Sequence, residues 1–543
     1  MVSLSRRSLC VVFGVGVVLL AGGGIMIPVV NMLVKDKIKQ TVIISNTSEL
    51  YDVWSEPPLP IYMQFYMFNL SNPAEVKQGK KPFLVQRGPY TYREHRKKYD
   101  ITFNENGTVT YRQKRTFFFE REMSVGDVET DLIVTANPPV LAVIEAMQHA
   151  PPALRTLVSI ALRTQQEDIF MTHTVNETLF GYTDPALKIL QSQFPDWFYT
   201  DYVGYFINKN DTDDGLYTVF TGKNDISNLG QIDMYNGSRY VSYWTTPWAN
   251  MINGSDGTIS PPFEHDTKQA PMFSSDVCRS VFGVYSEDVK TTQGIPLRRF
   301  LGSPLELANV TENPDNIGFC TPDETKCLPS GLLNISNCQI VDYFKIPVVV
   351  SFPHFYLADP TVQDSVGGLH PVAEEHQTAV DLEPWTGLVL RAFKRLQINM
   401  YLTNVQGFSQ TANVPTVFLP IFWMNESAVV DDKHATMLQR QLFVPLEVTA
   451  VLEKVFMIVG GVLVVFVFGM SCRQRYTRFK QTALPPGPIP STSSISFAPP
   501  RMRNGERMPL LRERGNEQPP PPPPARNLPT VPPPTSARNQ SEA

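Results

Sequence analysis

The chain has 543 residues, of which 18% are charged and 42% are hydrophobic, and its formal net charge at pH 7 is −5. Residues 473–543 carry +7, and Arg6 and Arg7 add +2, so the rest of the chain must carry −14. A middle region this acidic excludes a general role in binding nucleic acid or other polyanions, and it is long enough to bury one large core or two smaller ones.

The first predicted element is an apolar run from Leu9 to about Val34. A helix of about 20 residues crosses a bilayer core of roughly 30 Å. We therefore expect residues 9–34 to form a transmembrane helix, with residues 1–8 on its cytosolic side. A cleaved signal peptide is the alternative, but the run is too long for the apolar part of a signal and has no evident small-residue cleavage site.

A β pattern begins near Tyr90. Tyr99–Phe103 and Thr108–Tyr111 flank Asn106-Gly107, a sequence that strongly favours a hairpin turn. Further on, Val348–Val350 has the pattern of a buried strand, and apolar side chains alternate with polar ones over Leu396–Leu402. These segments predict a mostly antiparallel β domain.

A helical cluster at about residues 137–195 interrupts the β pattern. Apolar residues at helical spacing follow Pro138-Pro139 and again Pro151-Pro152, which predicts two short helices. Thr174–Glu177 has the pattern of a capping box and predicts the start of a third helix. The fold class is therefore α+β.

Four of the six cysteines lie in the middle of the chain: Cys278, Cys320, Cys327 and Cys338. Four cysteines allow three disulfide pairings. A zinc site is the alternative, but the spacings lack a CxxC pair, and disulfides are favoured in an oxidising compartment.

The same region is rich in N-x-S/T sequons, which are candidate glycosylation sites in a luminal or extracellular domain. They are Asn46, Asn69, Asn106, Asn176, Asn210, Asn236, Asn253, Asn309, Asn334 and Asn425.

A second apolar run, Val455–Cys472, contains no charge and is followed at once by Arg473 and Arg475. Basic residues beside a span favour the cytosolic side, so both termini are predicted to be cytosolic and residues 35–454 to be luminal or extracellular. Cys472 at the cytosolic face is a candidate palmitoylation site, with an inert thiol as the alternative.

The tail, residues 473–543, is rich in proline, serine and arginine and is predicted to be disordered, with polyproline II character at Pro519–Pro524. Glu506, Leu510 and Leu511 fit the acidic dileucine signal that clathrin adaptors recognise. Pro521–Arg526 fits an SH3-ligand pattern, with a proline spacer as the alternative.

Several stretches are similar to the class B scavenger receptors, the family of fatty-acid translocase, over nearly all of Val2–Cys472. They are QRGPYTYRE from Gln86, MINGSDG from Met251, SSDVCRSVFGVY from Ser274, ENPDNIGFC from Glu312, SFPHFY from Ser351 and KRLQIN from Lys394. Within this family the chain most resembles the lysosomal integral membrane protein of the second type, because KCLPSGLLNISNC follows from Lys326 and only four luminal cysteines are present.

The resemblance implies disulfides Cys278–Cys338 and Cys320–Cys327. It also implies a β-barrel-like luminal domain with an internal lipid tunnel and an apical helical bundle. A lysosomal or late-endosomal location follows, with membrane lipids and sterol as partners, no enzymatic activity and no cofactor. A homo-oligomer is a further expectation that the sequence leaves open.

The lysosomal relative carries glucocerebrosidase on its apical bundle and releases it in acid through a histidine. The resemblance implies that this position is His173 here. Histidine gains its proton near the pH of acidic compartments, so it could act as such a switch. A surface histidine with no such role is the alternative, since the positive end of a helix disfavours protonation. A glycan on Asn176 in the same helix would obstruct this face.

An anchored enzyme is the third alternative, after the lysosomal receptor and a cell-surface receptor for lipids or lipoproteins. His370 and His376 with Glu374 and Glu375 suggest a metal site only superficially, because the spacing is not HExxH. No nucleophile elbow or P-loop occurs in the sequence. A non-enzymatic receptor is therefore the leading hypothesis.

Overall fold

A computed structural model describes residues 5–48, 50–193, 200–338, 340–341, 344–345 and 347–482. The chain divides into two units, Met1–Ser471 and Cys472–Ala543. In the second unit only residues 472–482 are described, so the predicted tail motifs at Glu506, Leu510, Leu511 and Pro521–Arg526 lie outside the described residues.

The helices of the described residues include two long ones at the ends and short ones between them. They are α1 Arg6–Val42, α2 Leu50–Ser55, α3 Pro73–Val76, α4 Pro138–Met147, α5 Pro152–Thr164, α6 Val175–Phe180, α7 Pro185–Gln193, α8 Pro247–Asn250, α9 Pro360–Gln363, α10 Ala373–His376, α11 Asp432–Leu438 and α12 Val444–Thr482. A π-helical turn, Gln439–Phe443, joins α11 to α12.

The strands of the described residues all pair antiparallel within their sheets. They are β1 Ile61–Leu70, β2 Leu84–Phe103, β3 Thr108–Phe119, β4 Leu132–Ala136, β5 Phe170–Thr174, β6 Tyr182–Thr183, β7 Tyr202–Val203, β8 Thr212–Phe220, β9 Ile232–Tyr235, β10 Gln269–Ser274, β11 Arg279–Lys290, β12 Pro296–Gly302, β13 Leu333–Asn334, β14 Ile340–Val341, β15 Phe344–Lys345, β16 Val348–Ser351, β17 Ala379–Leu382, β18 Val389–Leu402 and β19 Val417–Val429.

The main sheet runs in the order β10-β11-β12-β17-β18-β19-β1-β2-β3-β8-β9, with β16 and β13 attached beside β18. The backbone at Gly254–Ser255 bonds to both of its edges. Ile232 of β9 donates its N–H to the Gly254 carbonyl over 2.9 Å, and Phe273 of β10 donates to the Ser255 carbonyl over 2.9 Å. The sheet is therefore nearly a barrel, and the predicted α+β class is confirmed.

Glycine is required at this closure. Gly254 has φ +92°, and a Cβ there would lie 2.3 Å from the carbonyl of Pro271. Only a residue without a side chain lets the two edges approach this closely. The fold therefore requires the glycine at position 254 of the MINGSDG stretch.

The local predictions made from turn and cap patterns hold. Asn106 and Gly107 lie in the turn between β2 and β3, and Gly107 has φ +80°. The Thr174 side chain accepts from the Glu177 N–H while the Glu177 carboxylate accepts from the Thr174 N–H, which completes the predicted capping box at α6. The helical insertion also contains α7, which the sequence pattern did not separate.

Helices α1 and α12 include segments long and apolar enough to cross a membrane. Both helices extend beyond the predicted spans 9–34 and 455–472. They touch at small residues: a Cβ on Gly460 would lie 2.8 Å from the Gly16 carbonyl oxygen. Close backbone approach at glycine is a typical way for membrane helices to associate.

The domain between these helices has two large apolar cores. The apical core contains Phe65, Tyr92, Phe117 and Phe422 and extends into α4, α5 and α6. The stem-side core contains Trp54, Tyr111 and Leu390, and it includes Ile38 of α1 and Phe443 before α12. The long helices are therefore anchored into the domain by apolar packing as well as by the chain connection.

Candidate functional site

Helices α4 to α7 with the β4–β5 ribbon form the apex of the domain. One face of α5 is held down, because the N–H of Ser409 donates to the Ser159 hydroxyl over 3.0 Å and the Gln410 amide donates to the Ser159 carbonyl over 3.0 Å. The opposite face presents Leu154, Leu157 and Ile160, of which Leu157 is 63% exposed. An apolar stripe in water is typical of a surface that binds a partner.

His173 lies at the end of β5, directly before the helix cap at Thr174. Its Nδ1 is 3.4 Å from Oε2 of Glu177, and its ring stacks on Tyr182 with centroids 3.9 Å apart. The Thr174 backbone N–H is the main cause that lowers the pKa of Glu177 below its ordinary value, so a carboxylate faces the imidazole.

His173 and Glu177 line a cleft of about 570 Å³ at the apex. Glu167, Asp168 and Asp184 also line it, together with the rings of Phe170, Tyr182 and Tyr202. Burial, and then the charge of Asp184, raises the pKa of Glu167 above its ordinary value. The cleft is acidic and aromatic, so a proton on His173 adds positive charge to a negative surface.

Asn176 lies in the first turn of α6, three residues from His173, and is half-buried. The side chains of both residues are therefore on the same short segment of the apex. Glycosylation of Asn176 stays a prediction.

The four cysteines of the middle region are joined as Cys278–Cys338 and Cys320–Cys327, the pairing that the resemblance implies. None of them is free to bind zinc, so the zinc alternative is wrong for these residues. The Trp244 indole donates to the Cys278 carbonyl over 2.8 Å, which fixes the first bridge against the apical core.

The sequons differ in exposure. Asn425 lies within β19 between β1 and β18, and its amide donates to Gln64 over 3.0 Å. Asn69, Asn176, Asn309 and Asn334 are half-buried. The exposed ones are Asn46, Asn106, Asn210, Asn236 and Asn253.

His376 belongs to a buried stack that the sequence did not reveal. Its ring lies on that of His354, with centroids 4.3 Å apart, and its Nδ1 accepts from the Val372 N–H over 2.8 Å. The His354 Nδ1 accepts from the His370 N–H over 3.0 Å, and its Nε2 lies 2.7 Å from Gln86 Oε1. These rings serve the fold as hydrogen-bond acceptors.

The metal alternative at His370 and His376 finds no support in this geometry. Across the described part of the chain, no group of three or more His, Cys, Asp or Glu residues could hold a metal ion. Gln86 and His354 belong to two of the stretches that carried the resemblance, so those motifs have a structural explanation.

Cys472 is an exposed free thiol in α12. Palmitoylation of this thiol stays a prediction.

A family model described as the CD36 family matches residues 14–471. The chain belongs to the CD36 family. Lysosome membrane protein 2 of Homo sapiens is 40% identical over 418 residues, which cover 77% of this chain and 84% of the relative. The rat protein of that name is 38% identical over 451 residues, 83% of this chain and 91% of the relative.

A second kind of relative in the CD36 family is also similar. Scavenger receptor class B member 1 of Sus scrofa is 36% identical over 450 residues, which cover 83% of this chain and 86% of the relative. By name, these relatives are receptors and lysosomal membrane proteins, and none of these names is that of an enzyme.

The apical stripe was only partly visible in the sequence. Its helical spacing predicted an amphipathic helix, but spacing does not say which face is covered. The anchoring contacts of Ser159 come from Ser409 and Gln410, which are distant in the chain, so only the folded structure identifies the free face.

Proposed function

We propose that this chain is a non-enzymatic receptor of lysosomal and late-endosomal membranes with two luminal roles. It binds a luminal hydrolase of the glucocerebrosidase type at its apex for delivery to the lysosome. It also conducts lipids, namely sterol and phospholipid, through the interior of its luminal domain toward the bilayer.

The observation that carries the cargo role is the exposed stripe of α5, Leu154, Leu157 and Ile160. The stripe stands on a helix whose other face is fixed to the domain, so its side chains are presented on a rigid support. Identity of 40% to Lysosome membrane protein 2 of Homo sapiens supports the lysosomal setting. Ser409 and Gln410, which hold α5, lie between β18 and β19, whereas Leu390 of the stem-side core lies near the other end of β18.

The lipid role is supported by the two apolar cores inside a nearly closed sheet, the stem-side one of which includes residues of both long helices. A lipid that enters near the apex would remain among apolar side chains for most of the route. The long helices would lead it to the membrane.

Release of cargo in acid follows from the surroundings of His173. A proton on this histidine would place a positive charge beside Glu177 and the acidic cleft, and would change the charge of the contact surface when the pH falls.

One binding experiment tests the apical proposal. Full-length protein in detergent is used to capture purified glucocerebrosidase at pH 7 and pH 5. Leu157→Glu should lower capture at pH 7 at least about tenfold, because it puts a charge into an apolar contact. Met437→Glu is the matched control, since Met437 is also an exposed apolar side chain on a helix, 53% exposed, but outside the apex.

The same assay examines His173. His173→Ala should retain cargo at pH 5, whereas the unaltered protein should release it. His149→Ala, at an exposed histidine of the same apex, should behave like the unaltered protein. Identical pH curves for all three proteins would contradict a role of His173 in acid release. Full capture by Leu157→Glu would contradict cargo binding by the apical stripe.

A cell-surface receptor for lipids or lipoproteins is the second candidate function. The similarity to scavenger receptor class B member 1 favours it. Replacing Leu510 and Leu511 by alanine separates the two, because the lysosomal proposal relies on clathrin adaptors reading this signal. If the lysosomal proposal holds, the double variant should be found at the plasma membrane in cell imaging. A distribution equal to that of the unaltered protein would favour the second candidate.

A further inference from the structure

A layer of charged side chains crosses the interior of the barrel between the two apolar cores. Successive residues of a strand point to opposite faces, so Tyr92, Glu94 and Arg96 of β2 share the inward face. Tyr92 belongs to the apical core, and Glu94, only 3% exposed, follows it. On β3, Arg115 lies between Phe117 of the apical core and Tyr111 of the stem-side core.

Strands β18 and β19, which are separated from β2 by β1, repeat this change. Lys394 of β18 is paired with Glu426 of β19. On the apical side of this pair lie Leu396 and Met424, which pack in the apical core. On its other side, Leu390 belongs to the stem-side core. Strands β2 and β3, and β18 and β19 on the other side of β1, therefore place charge between apolar segments.

The charged layer is a connected set of ion pairs, which we define as Glu94, Arg96, Arg115, Asp214, Asp276, Lys394 and Glu426. Its contacts are Arg96 Nε to Glu94 Oε1 at 2.7 Å, Arg96 to Glu426, Lys394 Nζ to Glu426 Oε2 at 3.4 Å, Lys394 to Asp276, Arg115 Nη2 to Asp276 Oδ1 at 3.5 Å and Arg115 Nη2 to Asp214 Oδ2 at 3.0 Å.

Neighbouring cations keep Asp276 ionised. Burial would raise the pKa of Asp276, but Lys394 and Arg115 outweigh burial and hold the pKa below its usual range. Counted at formal charges, the layer has three cations and four carboxylates, and so one excess negative charge. Lys98 and Asp256, 3.8 Å apart, add one charge of each sign. Lys209 also lowers the pKa of Asp276, but it is exposed, so solvent screens its charge.

The layer also has unused acceptors. Glu94 Oε2 and Asp214 Oδ1 are buried and, among the described residues, receive no hydrogen bond. The Asp214 Oδ2 atom, by contrast, accepts from Arg115 and Tyr217. A buried acceptor without a donor costs free energy, so the layer favours a ligand that brings a hydrogen-bond donor.

We propose that the charged layer selects lipids by their head group: it accepts an amphiphile whose head is an uncharged hydrogen-bond donor, such as an alcohol, and disfavours a head with net negative charge, such as a carboxylate or a sulfate. An alcohol can donate to Glu94 or Asp214, whereas an anionic head meets an excess negative charge in a medium that screens weakly. This inference rests on the proposed lipid route through the domain.

The test compares amphiphiles with the same apolar body and different heads. Full-length protein in lipid nanodiscs is titrated with cholesterol and cholesteryl sulfate, and with oleyl alcohol and oleate. In the unaltered protein each alcohol should bind at least about tenfold more tightly than its anionic partner. Glu94→Gln and Asp214→Asn should each tighten binding of the anions about tenfold and change that of the alcohols much less.

Glu56→Gln is the matched control. It also removes one negative charge, but Glu56 pairs with Lys97 and His95 at an exposed position outside the barrel. Its alcohol-to-anion ratio should equal that of the unaltered protein.

Two results overturn the inference: equal affinity of the unaltered protein for an alcohol and its anion, or an unchanged ratio in folded Glu94→Gln and Asp214→Asn. The first result needs no variant, so it decides the matter even where a substitution prevents folding. Failure of every amphiphile to bind the unaltered protein would instead contradict the proposed lipid route.

Discussion

His354 and His376 place two neutral imidazole rings against each other in the interior. Burial, followed by the charge of neighbouring groups, lowers the pKa of His354 to about 3 and that of His376 to about 4. Both rings accept hydrogen bonds from backbone N–H groups at Nδ1, which only the unprotonated nitrogen can do. The pair therefore contributes its stability in the neutral form.

This pair predicts a loss of stability in acid. An unfolded histidine titrates near pH 6.5, so the contribution is complete above that pH and is lost as the pH falls toward about 4. At pH 5 the loss is on the order of 2 kcal/mol for each histidine. The variant with His354→Asn and His376→Asn keeps an acceptor at each site, so its melting temperature should be lower at pH 7 but fall less between pH 7 and pH 5. Parallel melting curves would contradict this.

At the scale of elements, we expect strand pairing to limit which sequons can carry a sugar. Asn425 occupies the middle of a paired strand and uses its amide to bond Gln64, whereas Asn46, Asn106, Asn210, Asn236 and Asn253 face solvent.

Glycopeptide mapping of the protein from mammalian cells should find sugar at the five exposed sites and none at Asn425. Replacing an exposed asparagine by glutamine should remove one glycan, whereas Asn425→Gln should leave the electrophoretic mobility unchanged. A glycan at Asn425 would mean that β19 is not paired as described.

Elements with strong local signals could be predicted from the sequence. The β2–β3 turn at Asn106-Gly107 and the capping box at Thr174 depend on neighbouring residues, and both are present. The inward charges could not be predicted. From Arg93 to Lys98 every residue is polar, so the period-2 pattern does not distinguish the inward face from the outward one.

Closure of the sheet was equally hidden, because Gly254–Ser255 meets strands that are distant in the chain. The disulfide pairing could not be derived from spacing, and only the resemblance implied it. Pairing and closure are properties of the whole fold, so short stretches of sequence do not encode them separately.

At the scale of the whole molecule, two apolar helices and a nearly closed sheet form one unit with an interior that changes from apolar to charged and back to apolar. The stem-side core includes Ile38 and Phe443, so the interior continues toward the helices that are long enough to cross a membrane. This continuity is the physical basis of the proposed lipid route in this member of the CD36 family.

The most direct measurement is photolabelling of the full-length protein in liposomes with a photoreactive sterol, followed by mass-spectrometric mapping. The account predicts adducts on inward-facing residues of the barrel, such as Met63, Tyr92 and Met424, that excess cholesterol removes. Adducts confined to exposed residues of the long helices, such as Val18 and Val465, would show that sterol only contacts the membrane segments and would contradict a route through the domain.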